Sequence, residues 1–155
     1  MIRVYRIVKK QYMQSAYSGE GACLTNGRWH SQGTSVVYTS STISLATLEI
    51  IVHYRPLTAL PEFVVVPALI PEDCVGDVAQ GFAGKNLFRE KQHTRAMGDR
   101  WTKHMRSVAL RVPSVIVPVE TNVLINPAHK DFPKIQIEQG FSLNLDERLF
   151  GRNSY

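Results

Sequence analysis

Cysteine is scarce in this 155-residue chain: Cys23 and Cys74 stand apart, in no C-x-x-C pairing. That excludes a disulfide framework and a zinc knuckle and leaves two reduced, partly buried thiols. Long apolar runs are missing as well. No stretch approaches the roughly 18 apolar residues of a membrane span, and the N-terminal "MIRVYRIVKKQY" lacks the continuous apolar core of a secretory signal. The sequence therefore predicts a cytoplasmic protein with no membrane contact. The histidines His30, His93, His104 and His129 show no recurrent ligand spacing, so no metal site is expected. Repeats, low-complexity segments and linkers are absent. Eighteen Lys and Arg against thirteen Asp and Glu give a net charge of +5, yet no basic run exceeds "KK". No basic-aromatic interleaving like an RNA motif accompanies them, so the charge suits a solvated surface with a few arginines that contact an anion.

What is present is ordinary for a globular protein: 44% hydrophobic and 20% charged residues. The length suits one domain, 1–155, with 151–155 a loose tail. Residues 2–8 alternate as a half-buried strand, with Val4, Arg6 and Val8 on one face. A glycine-rich loop follows, "SGEGACLTNGRW", then a strand at "SVVYT" and a helix at "SSTISLATLEIIVHY". Ser40, Ser41 and Thr42 are competent N-caps for that helix, and Pro56 lies beyond its end. "EFVVVPALI" predicts a strand bent or at an edge at Pro67, and residues 71–85 a loop. One or two helical pieces broken near Gly98 come next, then strands at "VALRV", "VIVPV" and "KIQIEQ". Unevenly spaced strands with few helices argue an α+β fold of antiparallel or mixed sheets over a doubly wound one.

Two charges stand out in "NGRWHSQGTSVVYTSSTISLATLEIIVHY". Glu49 lies in a helix that is apolar or small at nearly every position, with no plainly solvent sector, and a carboxylate buried alone costs several kcal/mol. It can pair with an arginine, join His53 as an E-x-x-x-H metal pair, or await a cationic substrate or transition state. Arg28 sits between Gly27 and Gly33, where the backbone can turn tightly and a guanidinium fork can grip phosphate or carboxylate. Beside it, Trp29 suits a core anchor or a stacking platform. Tyr38 ends a strand just before the helix that carries Glu49.

The segments "GRWHSQGTSVVYTSSTISLATLE", "ALRVPSVIVPVETNVLINPAHKDF" and "FSLNLDERLF" resemble, in order, the RES-domain family, named for an arginine, a glutamate and a serine; the resemblance runs over residues 4–150. By position it puts the family arginine at Arg28, the glutamate at Glu49 and the serine at Ser114. The pocket tyrosine falls on Tyr38 and a second, N-terminal arginine on Arg6. Where His30 stands, family members often carry Asn. The resemblance implies an ADP-ribosyltransferase-like fold and a bacterial toxin that consumes NAD+ as substrate, with no permanently bound cofactor. It also implies neutralisation by an Xre-type helix-turn-helix antitoxin, through which alone DNA would be touched; homodimerisation is compatible with it.

On that reading Glu49 stabilises oxocarbenium character as the nicotinamide–ribose bond breaks. Arg28 and Arg6 clamp the pyrophosphate, Tyr38 stacks on the nicotinamide with Trp29 beside it, and Ser114 positions Glu49 or the ribose. Nothing in "VPSVIVP" supplies a base that would make Ser114 a nucleophile. Hydrolysis, phosphorolysis and ADP-ribosyl transfer to a protein share this first cleavage. The rivals are an RNA-directed toxin, supported by the basic balance, and a non-catalytic interaction domain.

Overall fold

The computed structural model describes residues 1–54, 61–87 and 89–151. Its elements are β1 (Ile2–Lys9), α1 (Glu20–Cys23), β2 (Val37–Ser40), α2 (Ile43–His53), β3 (Phe63–Ile70), β4 (Val75–Asp77), α3 (Lys91–His104), β5 (Ala109–Pro113), β6 (Thr121–Ile125), β7 (Gln136–Ile137) and β8 (Phe141–Leu143). The strands join in one sheet of order β4-β5-β6-β2-β1-β3-β7, with β8 also on β3. All pairs are antiparallel except β4 with β5. This is the α+β class, a mixed sheet with few helices.

Alternation along the strands divides the core into two sides. On one, Val4, Val37, Val66, Val123 and Ile125 pack with Tyr17. On the other, α2 covers Ile7, Phe63 and Val65 through Ala46 and Ile51, while Trp29, Phe82 and Trp101 cover Leu110, Val112 and Leu124. The second side also receives Tyr38, Ser40 and Asn122, because β2 pairs Tyr38 with Leu124 and Ser40 with Asn122. β1 meets β2 at a single ladder position, Tyr5 with Ser40.

Several local expectations are corrected. Pro67 is inside the sheet, between β1 and the β7/β8 pair. β8 pairs with residues 63–65 of β3 and β7 with 68–69, so the proline falls in the gap where no partner needs its missing N–H. Residues 71–85 contain β4, paired to β5. Gly98 does not break α3, which runs through it. "VIVPV" is a turn and the strand is the following "TNVLI". Pro113 and Pro118 remove backbone donors there, and the Ser114 hydroxyl accepts from the N–H groups of Ile116 and Val117 at 3.1 and 3.0 Å, curling the chain back. The loop before Arg28 includes the short helix α1. Pro56 and, beyond Gly151, the expected tail lie outside the described residues.

Candidate active site

Glu49 is placed by a well-started helix: the Thr42 side chain accepts from the Leu45 N–H at 3.1 Å, capping α2. Contrary to the expectation of burial all round, α2 has a solvent side, where Ser44, Leu48, Val52 and His53 are exposed, and Glu49 is half-buried on its flank. The ends of two strands meet the carboxylate, and the end of a third backs them. Ser114, fully buried just after β5, donates to Glu49 Oε1 at 2.9 Å, and Asn122 of β6 donates from Nδ2 to the same oxygen at 2.6 Å. Ser40 at the end of β2 donates to Asn122 Oδ1 at 2.7 Å, which fixes the amide orientation. Among the described residues Oε2 accepts no hydrogen bond and no cation pairs with Glu49. Among the described residues, then, no structural arginine partner holds it.

Arg28 belongs to a loop clasped by α3. Thr94 Oγ1 donates to the Arg28 carbonyl at 2.9 Å and Arg95 Nε to that of Gly27 at 2.9 Å. Asp99 accepts from the Ser31 N–H at 2.8 Å and the Ser31 hydroxyl at 2.5 Å. A Cβ at Gly98 would lie 1.8 Å from the Trp29 carbonyl oxygen, so the helix approaches the loop closely only through glycine. The Arg28 side chain, half-buried, donates from Nη1 to the Leu87 carbonyl at 2.7 Å and keeps its other donors.

Within the loop, His30 is buried and its Nε2 lies 2.8 and 3.0 Å from the carbonyls of Ala22 and Thr25. Carbonyls only accept, so Nε2 carries the proton and Nδ1 accepts from the Tyr38 hydroxyl at 2.7 Å. That hydroxyl in turn accepts from the Trp29 N–H at 3.1 Å. Tyr38 is pinned at its polar tip, and burial pushes its phenol up to about 12. Trp29 reaches the site through its backbone alone. Its ring is 3% exposed and sits edge-on to Phe82 at 5.6 Å, which leaves no face for stacking on a ligand.

Arg6 donates from Nη1 to the Tyr38 carbonyl at 2.8 Å, across the place where β1 and β2 separate. Burial pushes its guanidinium pKa down, opposed by the Tyr17 phenol, and its buried Nε has no hydrogen-bond partner. No carboxylate among the described residues pairs with it. Arg6 lines a cavity of about 650 Å³ together with Ser15, Glu20, Ile50 and Tyr54. Ser114, Glu49, Tyr38 and Arg28 are not part of that lining.

The structure thus joins Glu49 to Ser114 directly, and Tyr38 to Arg6 and to the Arg28 loop. β2 links the two groups, because Tyr38 and Ser40 share a face about 7 Å apart. His53 is exposed, and no group of three His, Cys, Asp or Glu able to hold a metal occurs among the described residues. Asn122 and Arg95 escaped the sequence reading. Asn122 could have been found from the alternation of "TNVLI", had the strand been set there; Arg95 carries no local signal.

Comparison with known proteins bears on this arrangement. The family model for the RES domain matches residues 3–146. The chain is 37% identical over 149 residues to a protein named Toxin Res from Photorhabdus laumondii, covering 94% of this chain and 96% of the relative. It is 36% identical over 150 residues to a Prs ADP-ribosylating toxin from a Sphingobium species, covering 90% of each. A chain in the crystal structure of the M. tuberculosis MbcT-MbcA toxin-antitoxin complex superposes with a TM-score of 0.71 at 14% identity, over 97% of this chain and 89% of that one. That last likeness is one of fold.

Proposed function

The chain belongs to the RES domain family, and from that premise we propose that it is an enzymatic toxin that cleaves NAD+ at the nicotinamide–ribose bond and is neutralised by an Xre-type antitoxin. The observation that carries the reading is a pair of unanswered charges. Glu49 offers an unbonded carboxylate oxygen and Arg6 a desolvated guanidinium with a buried, unpartnered donor, and neither has an ionic partner among the described residues. A substrate with a cationic ring on a ribose and an anionic pyrophosphate answers both.

In this mechanism the bond between ribose C1′ and the nicotinamide ring nitrogen breaks, and its electron pair stays with the ring, cancelling the ring's positive charge. Positive charge passes to the ribose as oxocarbenium character. Glu49 Oε2 faces it while Ser114 and Asn122 hold Oε1, so no reorganisation of the carboxylate is needed as the charge forms. Water or phosphate adds to C1′ and, where water attacks, releases a proton to solvent. Arg6 and the remaining donors of Arg28 bind the pyrophosphate oxygens. Tyr38, its hydroxyl already engaged, offers its ring.

Nicotinamide release from NAD+ by the purified, antitoxin-free chain tests this, wild type beside Glu49→Gln, with and without phosphate. Release by wild type alone is expected, with Glu49→Gln lower by at least about a hundredfold, and phosphate dependence separates phosphorolysis from hydrolysis. No release from folded wild type under either condition would overturn the reading. The name of the Sphingobium relative favours a second reading, ADP-ribosyl transfer to a protein; it requires an added acceptor for turnover and leaves label on that acceptor.

A further inference from the structure

The basic residues are dispersed in sequence but not evenly. Residues 85–106 hold seven Lys or Arg against two Asp or Glu, a net +5 equal to the excess of the whole chain, while the remainder balances at eleven of each. The structure gathers this charge on the outer side of α3 and its C-terminal exit, where Lys91, Arg100, Lys103, His104 and Arg106 are exposed. The side chains of Arg100, Lys103 and Arg106 make no ion pair or hydrogen bond with the described residues. Nearby acids do not offset them. Asp99 is turned inward to Ser31, and Asp77 is engaged by Arg111 at 3.2 Å and by the Ala79 N–H at 2.8 Å.

A cavity of about 340 Å³ opens within this basic surface, between Arg100, His104 and Arg106. Its apolar walls come from Val78, Met97, Trp101 and Leu110. Of the other polar groups in its lining, Asp77 is engaged as described and Ser107 is likewise used. Ser107 Oγ accepts from the Trp101 indole N–H at 2.9 Å and donates to the Ala109 carbonyl at 2.7 Å. The Trp101 ring is itself buried. A nucleobase would therefore find no indole face to stack on, whereas the apolar walls suit an aliphatic or aromatic side chain. Lys103, exposed on the same stretch, is outside the cavity lining, so the free cations reach beyond what one compact small-molecule anion in the cavity would meet.

We propose that this face is a docking surface for an acidic peptide segment of a partner protein, with one apolar side chain seated in the cavity and flanking carboxylates on Arg100, Lys103 and Arg106. Arginine-rich recognition of acidic motifs around a buried apolar anchor is an established mode of peptide binding. The surface is separate from the Glu49 site, so the inference does not rest on NAD+ cleavage.

The test uses the full chain and a short fluorescent peptide with one leucine among glutamates. The comparison probes are the same peptide with serine for leucine, and a single-stranded oligonucleotide of equal charge. Fluorescence anisotropy at fixed moderate salt should show the leucine peptide binding at least about tenfold tighter than the serine peptide and the oligonucleotide. An Arg100→Glu/Arg106→Glu double variant with unchanged thermal unfolding should lose at least about tenfold of that affinity. Equal or tighter binding of the oligonucleotide would overturn the proposal in favour of nucleic acid. Indifference to the leucine, indifference to charge reversal in a folded variant, or no peptide binding by folded wild type would each overturn it as well.

Discussion

Asn122 Nδ2 lies 2.6 Å from Glu49 Oε1, nearer than the Ser114 hydroxyl at 2.9 Å, and both donors fall on the same carboxylate oxygen. The glutamate is held by two neutral groups at one oxygen and left open at the other. A neutral donor fixes geometry without neutralising the carboxylate, as an arginine would.

Replacing Asn122 by Asp would set a second carboxylate against Glu49, and two such groups in contact retain one proton to a higher pH than either alone. On the NAD+ reading, Asn122→Asp should lower kcat at neutral pH by at least about tenfold and recover as pH rises. Asn122→Ala should lower kcat by a factor nearly independent of pH. Nicotinamide release measured across pH for both variants decides it; pH profiles parallel to wild type in both would remove Asn122 from the positioning of Glu49.

Arg28 already spends Nη1 on the Leu87 carbonyl, so ligand contacts must come from the rest of its fork. A lysine cannot serve both partners from one ammonium. Arg28→Lys should raise KM for NAD+ by about tenfold or more, with little change in thermal unfolding. Steady-state kinetics that leave KM and kcat at wild-type values would sink the clamp assignment.

The α+β class, β1, β2, α2 and its cap were legible because each rests on local signals: alternation, an N-cap, a run of apolar residues. The errors arose where backbone constraints and contacts outside the apolar pattern outweighed those signals. "VIVPV" has strand composition but turns, because two prolines and the Ser114 hydroxyl satisfy its backbone differently. Glu49, Arg28 and Ser114 could be singled out because charge or a motif marks them. Arg95 could not, since it acts through a contact far away in sequence; Asn122 is hidden by a strand expected at "VIVPV" instead of "TNVLI", and the role of His30 depends on how its own loop folds back on Tyr38.

Gly98 offers a case where two effects oppose. Alanine in a helix interior is ordinarily about 1 kcal/mol better than glycine. Here its Cβ would meet the Trp29 carbonyl oxygen at 1.8 Å, a backbone atom that cannot move without dragging the Arg28 loop. Overpacking of this kind costs about 1–3 kcal/mol or more. Gly98→Ala should therefore lower the Tm by several degrees and weaken NAD+ binding together; a rise in Tm by calorimetry would show that the loop yields freely.

Tyr38 and Tyr17 give the stability a dependence on alkaline pH. Burial raises both phenols, Tyr38 from 10.0 to about 12 and Tyr17 further. The unfolded chain therefore loses these protons first, and ionisation favours unfolding. The contribution is fully present below pH 10 and declines as pH rises toward the folded values. Denaturant midpoints should fall steeply between pH 10 and about 12, and Tyr38→Phe should make that fall shallower while lowering stability at pH 7 through the lost bonds to His30 and Trp29. An unchanged slope would mean the phenol is not protected by the fold.

The stretch "INPAHKDF" lies in one of the segments that resemble the family, yet its polar residues serve the end of α3. Met105 closes that helix at φ +49°, a left-handed conformation disfavoured for a side chain like methionine. Asn126, fully buried, donates to the Thr102 carbonyl at 3.3 Å. His129 accepts from the Asp131 N–H at Nδ1, 3.0 Å away, and so donates from Nε2 to the Met105 carbonyl at 3.0 Å. These bonds satisfy carbonyls that the helix leaves open and hold the left-handed turn. Asn126→Ala and His129→Ala should each destabilise the chain by about 1–3 kcal/mol. Nicotinamide release per folded molecule should stay near wild type, because neither residue touches Glu49, Tyr38 or either site arginine. Denaturation curves and active-fraction kinetics on the same preparations separate the two effects. A loss of kcat at full folding would place this turn in the active site instead of beneath α3.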